Sequence, residues 1–114
     1  MKMAEVRKLA MSLPEVTEEP HFQYSSFRVR GKIFVTVPPG NEHIHIFVGE
    51  ALREPALAIH SAFLEKLTWG AKVIGLRVTL AKATPSVVKQ LVKQAWEGKA
   101  PKSLLAASSG KTKS

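Results

Sequence analysis

The stretch SFRVRGKIFVTV, residues 26–37, decides the fold of this chain. It contains two runs of β-branched and aromatic residues on either side of Arg30 and Gly31. This pattern predicts two antiparallel strands joined by a tight hairpin turn, in which the glycine supplies the positive φ.

The register of this hairpin decides where its cations lie. A strict two-residue turn pairs Val29 with Lys32 and places Arg28 on the same side of the hairpin as Ile33 and Val35. A bulge at Gly31 reverses that arrangement, because a slip of one residue moves every side chain to the other face. The sequence leaves both registers open.

Further strands follow the hairpin. Residues 43–48 alternate like a third strand after a Pro-Pro-Gly-Asn turn, and residues 63–67 and 73–80 predict a fourth and a fifth. Gly75 marks a bulge or a close backbone approach. Upstream, residues 15–20 contain three glutamates and a proline, and we interpret them as a solvated loop; the glutamates are Glu15, Glu18 and Glu19.

Three segments have helical patterns. Residues 3–13 form the first helix, which Pro14 ends, and residues 50–60 form the second, with its regular part starting near Glu54 so that Pro55 lies in the first turn. Thr84 caps the third helix, which ends at Gly98. Its apolar stripe consists of Val88, Leu91, Val92, Ala95 and Trp96.

The order of elements predicts an α+β fold of two layers. Hairpin-connected strands give a mostly antiparallel five-stranded sheet, with helices on one face, in the order α-β-β-β-α-β-β-α. We expect one domain over residues 1–105 and a basic flexible tail over residues 106–114. We expect the aromatic side chains to fill the core; they are Phe22, Tyr24, Phe27, Phe34, Phe47, Trp69 and Trp96.

Positive charge is concentrated near the end of the chain. The 114 residues contain 17 Lys and Arg against 9 Glu and no Asp, a formal net charge of +8. Residues 82–114 hold seven lysines and one glutamate, whereas residues 1–81 are nearly balanced. Such an asymmetry points to an anionic partner such as nucleic acid, although lysine also serves solubility.

Seven cations are candidates for contacts with phosphate. The hairpin contributes three, which an amphipathic hairpin also presents to solvent when no ligand exists. The third helix and the residues after it contribute the other four, and lysines near a helix C-terminus are favoured by the helix dipole in any case. The candidates are Arg28, Arg30, Lys32, Lys89, Lys93, Lys99 and Lys102.

The sequence lacks the residues on which several classes of enzyme and metal site depend. Without cysteine there is no disulfide, thiolate nucleophile or Cys-ligated zinc, and without aspartate there is no Ser-His-Asp triad. No phosphate-binding glycine loop occurs. His43 and His45 share one face of a strand, but no third ligand lies near them in sequence. We therefore expect no enzyme activity, no metal and no cofactor.

The ordered motifs resemble one family. LPEVTEEPHF, SFRVRGKIF, Trp69-Gly70 and the closing AWEGKAPKSL, in this order and spacing, resemble the MmcQ/YjbR family over roughly residues 4 to 105. The resemblance implies a compact α+β fold related to type III secretion chaperones and frataxin-like CyaY proteins. It also implies DNA binding, with Arg28, Arg30 and Lys32 on a wing-like hairpin and Lys102 in the closing segment. The acidic ridge of a frataxin-like iron role is absent from the first helix.

We therefore expect a DNA-binding accessory or regulatory protein that contacts mainly phosphates. The alternative is a chaperone-like protein-interaction adapter that uses the open face of its sheet, which an exposed apolar patch would mark. A third interpretation, a small-ligand binder, needs an enclosed pocket. We expect a monomer. We also expect a cytoplasmic location, because no apolar run reaches the length of a membrane helix and the N-terminus is charged throughout.

Overall fold

The structure, a computed structural model, describes residues 1–106 and alternates helices with antiparallel strands. The first half contains α1 (Met3–Met11), β1 (Val16–His21), β2 (Tyr24–Val29), β3 (Lys32–Val37) and β4 (His43–Ile46). The second half contains α2 (Glu50–Ile59), β5 (Leu64–Trp69), β6 (Lys72–Thr79), a short 3₁₀ turn (Leu80–Lys82) and α3 (Pro85–Lys99). Residues 102–106 are also helical. The predicted tail lies outside the described residues, apart from Ala106.

The sheet has six strands, in the order β1-β2-β3-β4-β6-β5, and every neighbouring pair is antiparallel. The α+β class and the antiparallel sheet are confirmed, but the prediction of five strands is wrong. The additional strand is β1, where two of the three glutamates and Pro20 favour the solvated loop that the sequence predicts. An edge strand tolerates both features, because one of its sides faces solvent and needs no partner for every N–H.

The central hairpin has the two-residue turn. Val29 pairs with Lys32 across the turn, and Arg30 and Gly31 both have positive φ, at 48° and 82°. The register shifts between Phe27 and Arg28, so that Val35 lies opposite Phe27. Arg28 lies opposite Ile33, as the two-residue turn predicts, but its predicted alignment with Val35 is wrong, because a bulge lies inside the strands and not at the turn.

This bulge adds a buried side chain to the core. Phe34 is the extra residue of β3, and Phe27, Phe34 and Val35 are all completely buried. Two consecutive residues of β3 therefore pack beneath the helices where regular alternation would bury one.

All three helices lie on one face of the sheet. α1 packs against β1, α3 against β3 and β4, and α2 against β5. The predicted stripe of α3 is buried, including Trp96, whose indole N–H donates to the carbonyl of Pro14 at 3.1 Å. The sheet residues that alternate with the core residues point away from the helices, and we call this side of the sheet the open face. One row across it consists of Ser26, Thr36, His45 and Arg77.

The bounds of all three helices differ from the prediction. α1 ends at Met11, before the predicted end at Leu13. α2 begins at Glu50, so that Pro55 lies inside it, and not in the first turn. Both Pro55 and Ala51, the residue whose carbonyl loses its partner, are exposed, so water can bond to that carbonyl. α3 continues through Gly98 to Lys99.

Gly75 is a point of close backbone approach, as predicted. A Cβ atom built on it would lie 2.4 Å from the carbonyl oxygen of Ile46. The neighbouring β5–β6 register shifts between Leu67 and Thr68, which makes Ile74 an extra residue of β6. A side chain at position 75 would therefore push β4 and β6 apart.

No helix in the described part of the chain is long and apolar enough to span a membrane.

Candidate nucleic-acid interface

The outer surface of α3 is basic. Lys89 and Lys93 are exposed one turn apart, outside the buried stripe of the helix. α1 lies beside α3, and a shallow groove of about 440 Å³ between the two helices is lined by Lys8 and Lys89 together with Glu5. Packing of the two helices thus adds Lys8 to the two predicted lysines.

The charges of these lysines are not neutralised by ion pairs. Within residues 1–106, every ion pair uses an arginine: Arg7–Glu18, Arg30–Glu15, Arg53–Glu54 and Arg77–Glu65. Glu97 lies one turn after Lys93 but forms no ion pair with it. The lysine charges therefore remain available to an anionic partner.

Arg30, at the tip of the central hairpin, already forms an ion pair within the protein. Its Nε and Nη2 atoms donate to the two carboxylate oxygens of Glu15, each at 2.9 Å. This hydrogen bonding lowers the pKa of the Glu15 carboxyl below its usual value and raises the pKa of Arg30. Arg30 must leave this carboxylate, or share it, before it can hold a phosphate.

The other two hairpin cations have different surroundings. Arg28 is half-buried on the open face, where its Nε donates to Ser26 Oγ at 3.0 Å and its Nη2 to the carbonyl of Pro20 at 3.3 Å. Lys32 is exposed, opposite Val29 at the turn. Only Lys32 is both exposed and free of an ion pair among the three.

The end of α3 lies at the same end of the sheet as the hairpin tip. Trp96 is hydrogen-bonded to Pro14, and the next residue, Glu15, binds Arg30. Lys99 and Lys102 follow Trp96 closely in the chain and are exposed. The structure therefore brings the two later lysines toward the hairpin tip, whereas the side chain of Arg28 lies on the face of the sheet opposite α3.

A second feature occupies the open face. A cleft of about 550 Å³ is lined by Phe22, Tyr24 and Trp69, whose exposed fractions are 94%, 37% and 81%. The prediction that these rings fill the core is wrong for all three of them, because each is exposed at a strand end or turn. Phe27, Phe34 and Trp96 are buried, as predicted.

The curvature of the sheet forms this cleft. Phe22 lies in the turn after β1 at one edge, and Trp69 ends β5 at the other edge and at the opposite end of the strands. Neighbouring strands rotate by roughly 20–25°, so diagonally opposite corners of a six-stranded sheet curl toward the same face. The two rings therefore border one concave surface.

Polar groups lie at the bottom of the cleft. Thr36 Oγ1 is 3.3 Å from Nδ1 of His45, and both residues are buried. Burial lowers the pKa of His45, and the positive charge of Arg77 and the neighbouring His43 lower it further. His45 is therefore held neutral near pH 7, with a ring nitrogen available for hydrogen bonding.

The two strand histidines share the open face, opposite Thr79 and Arg77 of β6. Among the described residues, no three histidine or glutamate side chains come together as a metal ion would require.

Sequence reasoning missed Lys8 and misplaced the cleft aromatics. Lys8 joins the basic surface only because α1 packs beside α3, and nothing local to α1 indicates this contact. A local signal existed for Trp69, because an aromatic residue directly before a turn glycine ends a strand at its tip, where burial is least complete.

These observations define a small two-layer α+β protein with a basic helix surface on one side and an aromatic cleft on the other. The family model described as YjbR matches residues 11–98. The chain belongs to the YjbR family, and the resemblance noted from its motifs is confirmed. No curated protein and no solved structure matches it.

Proposed function

We propose that this protein is a DNA-binding accessory or regulatory protein that holds phosphates through the lysines of α3 and α1. The observation that carries the proposal is the grouping of Lys8, Lys89 and Lys93 on the adjoining outer surfaces of α1 and α3, where none of the three forms an ion pair within the described residues. Exposed lysines without counter-charges release counterions when they meet a nucleic acid backbone, which favours binding.

Lys99, Lys102 and Lys32 extend this surface toward the hairpin tip. Arg30 contributes less in the free protein because Glu15 competes for its guanidinium. Arg28 lies on the other face, so a duplex seated on α3 does not reach it. We propose mainly phosphate contacts, no catalytic activity, and action as a monomer in the cytoplasm.

The test is fluorescence anisotropy with a labelled duplex of ~20 base pairs, titrated at several salt concentrations. The double variant Lys89→Ala/Lys93→Ala should bind more weakly to every sequence, and its log–log salt slope should be shallower by about 1.8 because two phosphate contacts are lost. The control is Lys66→Ala, which removes an exposed charge from β5 at the far edge of the sheet. Equal affinities for the double variant and the wild type would remove α3 from the interface.

A second candidate function is a protein-interaction adapter. It is favoured by the exposed Phe22 and Trp69 on the open face, because exposed apolar patches of this kind mark partner surfaces. An adapter would bind a protein partner through the cleft and no DNA, and the duplex titration separates the two candidates.

A further inference from the structure

The open-face cleft has the composition of a surface on which flat, unsaturated rings stack. Phe22 and Trp69 present most of their ring surface to solvent, and neither is held in the core. Phe22 is supported by the ring of His21 in an edge contact at 4.9 Å, and Tyr24 lies 5.9 Å from His45. Phe22 and Tyr24 are thus each supported by the ring of a histidine.

The cleft lies on a face of the sheet where basic side chains outnumber acidic ones, with Arg28, Lys72 and Arg77 against Glu19 and Glu65. Among the described residues that line it, none is acidic. Lys72 lies directly opposite Trp69 in the β5–β6 register, and cross-strand partners share a face, so Lys72 extends from the same face of the sheet as Trp69. Arg28 lies on the same face as Ser26, and the nearby carboxylate of Glu65 is held by Arg77.

We propose that this cleft binds the unpaired bases of a single-stranded nucleic acid. Bases stack on Trp69 and Phe22, Lys72 and Arg28 meet the flanking phosphates, and Thr36 and His45 offer hydrogen bonds to base edges. The cleft volume of about 550 Å³ suits one or two bases. This inference rests on the proposed function, because it takes the ligand to be a nucleic acid, but it uses the opposite face of the sheet.

Intrinsic fluorescence reports directly on this site. The chain has two tryptophans; Trp96 is 2% exposed, whereas Trp69 is 81% exposed. Titration with a single-stranded oligonucleotide of ~12 nucleotides should quench the Trp69 emission, because stacked bases quench indole. The quenching should be absent in Trp69→Phe. An abasic oligonucleotide of the same length should quench the Trp69 emission of the wild type only slightly.

Two variants test the binding energy. Trp69→Ala combined with Phe22→Ala should weaken single-strand binding by about tenfold or more, because each stacked ring contributes strongly. Both side chains are exposed, so the fold should persist, which thermal unfolding verifies. The control is Ile59→Ala, which removes a 73% exposed apolar side chain from α2 on the helix side and should leave affinity unchanged.

The outcomes separate the two proposals. Duplex binding that depends on Lys89 and Lys93, without quenching by the single strand, overturns the cleft inference alone. Equal binding of the abasic and normal oligonucleotides, or unchanged affinity in the double variant, also overturns it. Quenching by an acidic peptide in place of the oligonucleotide overturns it in favour of the adapter. Absence of binding to any nucleic acid overturns both proposals.

Discussion

Arg30 and Glu15 form a bidentate ion pair that joins the tip of the central hairpin to the residue before β1. Both hydrogen bonds measure 2.9 Å, and both side chains are about half exposed. The pair is possible because Val16 pairs with Val29, so the residues just beyond them, Glu15 and Arg30, lie side by side. The arrangement masks one of the two arginines on which a DNA-binding hairpin would depend.

We predict that Glu15→Gln increases duplex affinity. The neutral amide no longer competes as an anion for Arg30, so the guanidinium can contact one more phosphate, and the log–log salt slope should steepen by about 0.9. The measurement is the same anisotropy titration used for the lysine variants.

Glu42→Gln serves as the charge-matched control for this variant. Glu42 is exposed and is absent from the four ion pairs of the described residues. If both variants raise affinity equally, net charge explains the gain, and Arg30 has no particular role.

We predict that Gly75→Ala destabilises the protein by about 1–3 kcal/mol, the usual cost of overpacking. The new Cβ would meet the Ile46 carbonyl oxygen at 2.4 Å, and backbone cannot rotate away as a side chain can. Chemical denaturation followed by far-ultraviolet circular dichroism gives the free energy of unfolding.

Gly98→Ala is the matched control, because nothing lies within 4 Å of its Cβ position inside α3. It should raise stability by roughly 0.5–1 kcal/mol through helix propensity. Equal effects at positions 75 and 98 would contradict the close approach of β4 and β6.

We predict that stability falls as the pH decreases from about 6.5 toward 5. Burial lowers the pKa of His45 in the folded state, so the unfolded chain binds the proton more readily and protonation favours unfolding. The stabilising contribution is therefore complete above the unfolded pKa and is lost as the pH falls through the folded value. The lowered pKa values of Glu15 and Glu18 act only at more acidic pH.

The measurement is the free energy of unfolding between pH 5 and 7.5, compared with His45→Gln. The variant should show a flatter profile in this window. Thr36→Val, which removes the hydroxyl near His45 but keeps the imidazole, should keep the slope of the wild type. An unchanged slope in His45→Gln would assign the pH dependence to another group.

Local rules predicted the parts of the fold that depend on neighbouring residues. The Arg30-Gly31 turn and the buried stripe of α3 follow from turn chemistry and helical period, and both are present. β1 could not be predicted because its glutamates favour solvent, and only pairing with β2 makes it a strand.

The candidate site depends more strongly on tertiary structure. Glu15 and Arg30 are fifteen residues apart, so their ion pair follows from sheet register. The sequence identified Trp69 as a large aromatic residue but could not show that it ends an edge strand at a corner of the sheet. The grouping of Lys8 with Lys89 likewise requires the packing of α1 beside α3.

The most direct test of the central proposal is the salt dependence of wild-type binding to a labelled duplex of ~20 base pairs. Four or five engaged lysines predict a log–log slope of about −4, with micromolar or tighter affinity near 150 mM salt. Absence of binding even at ~50 mM salt, from a chain with a net charge of +8, would contradict the proposal.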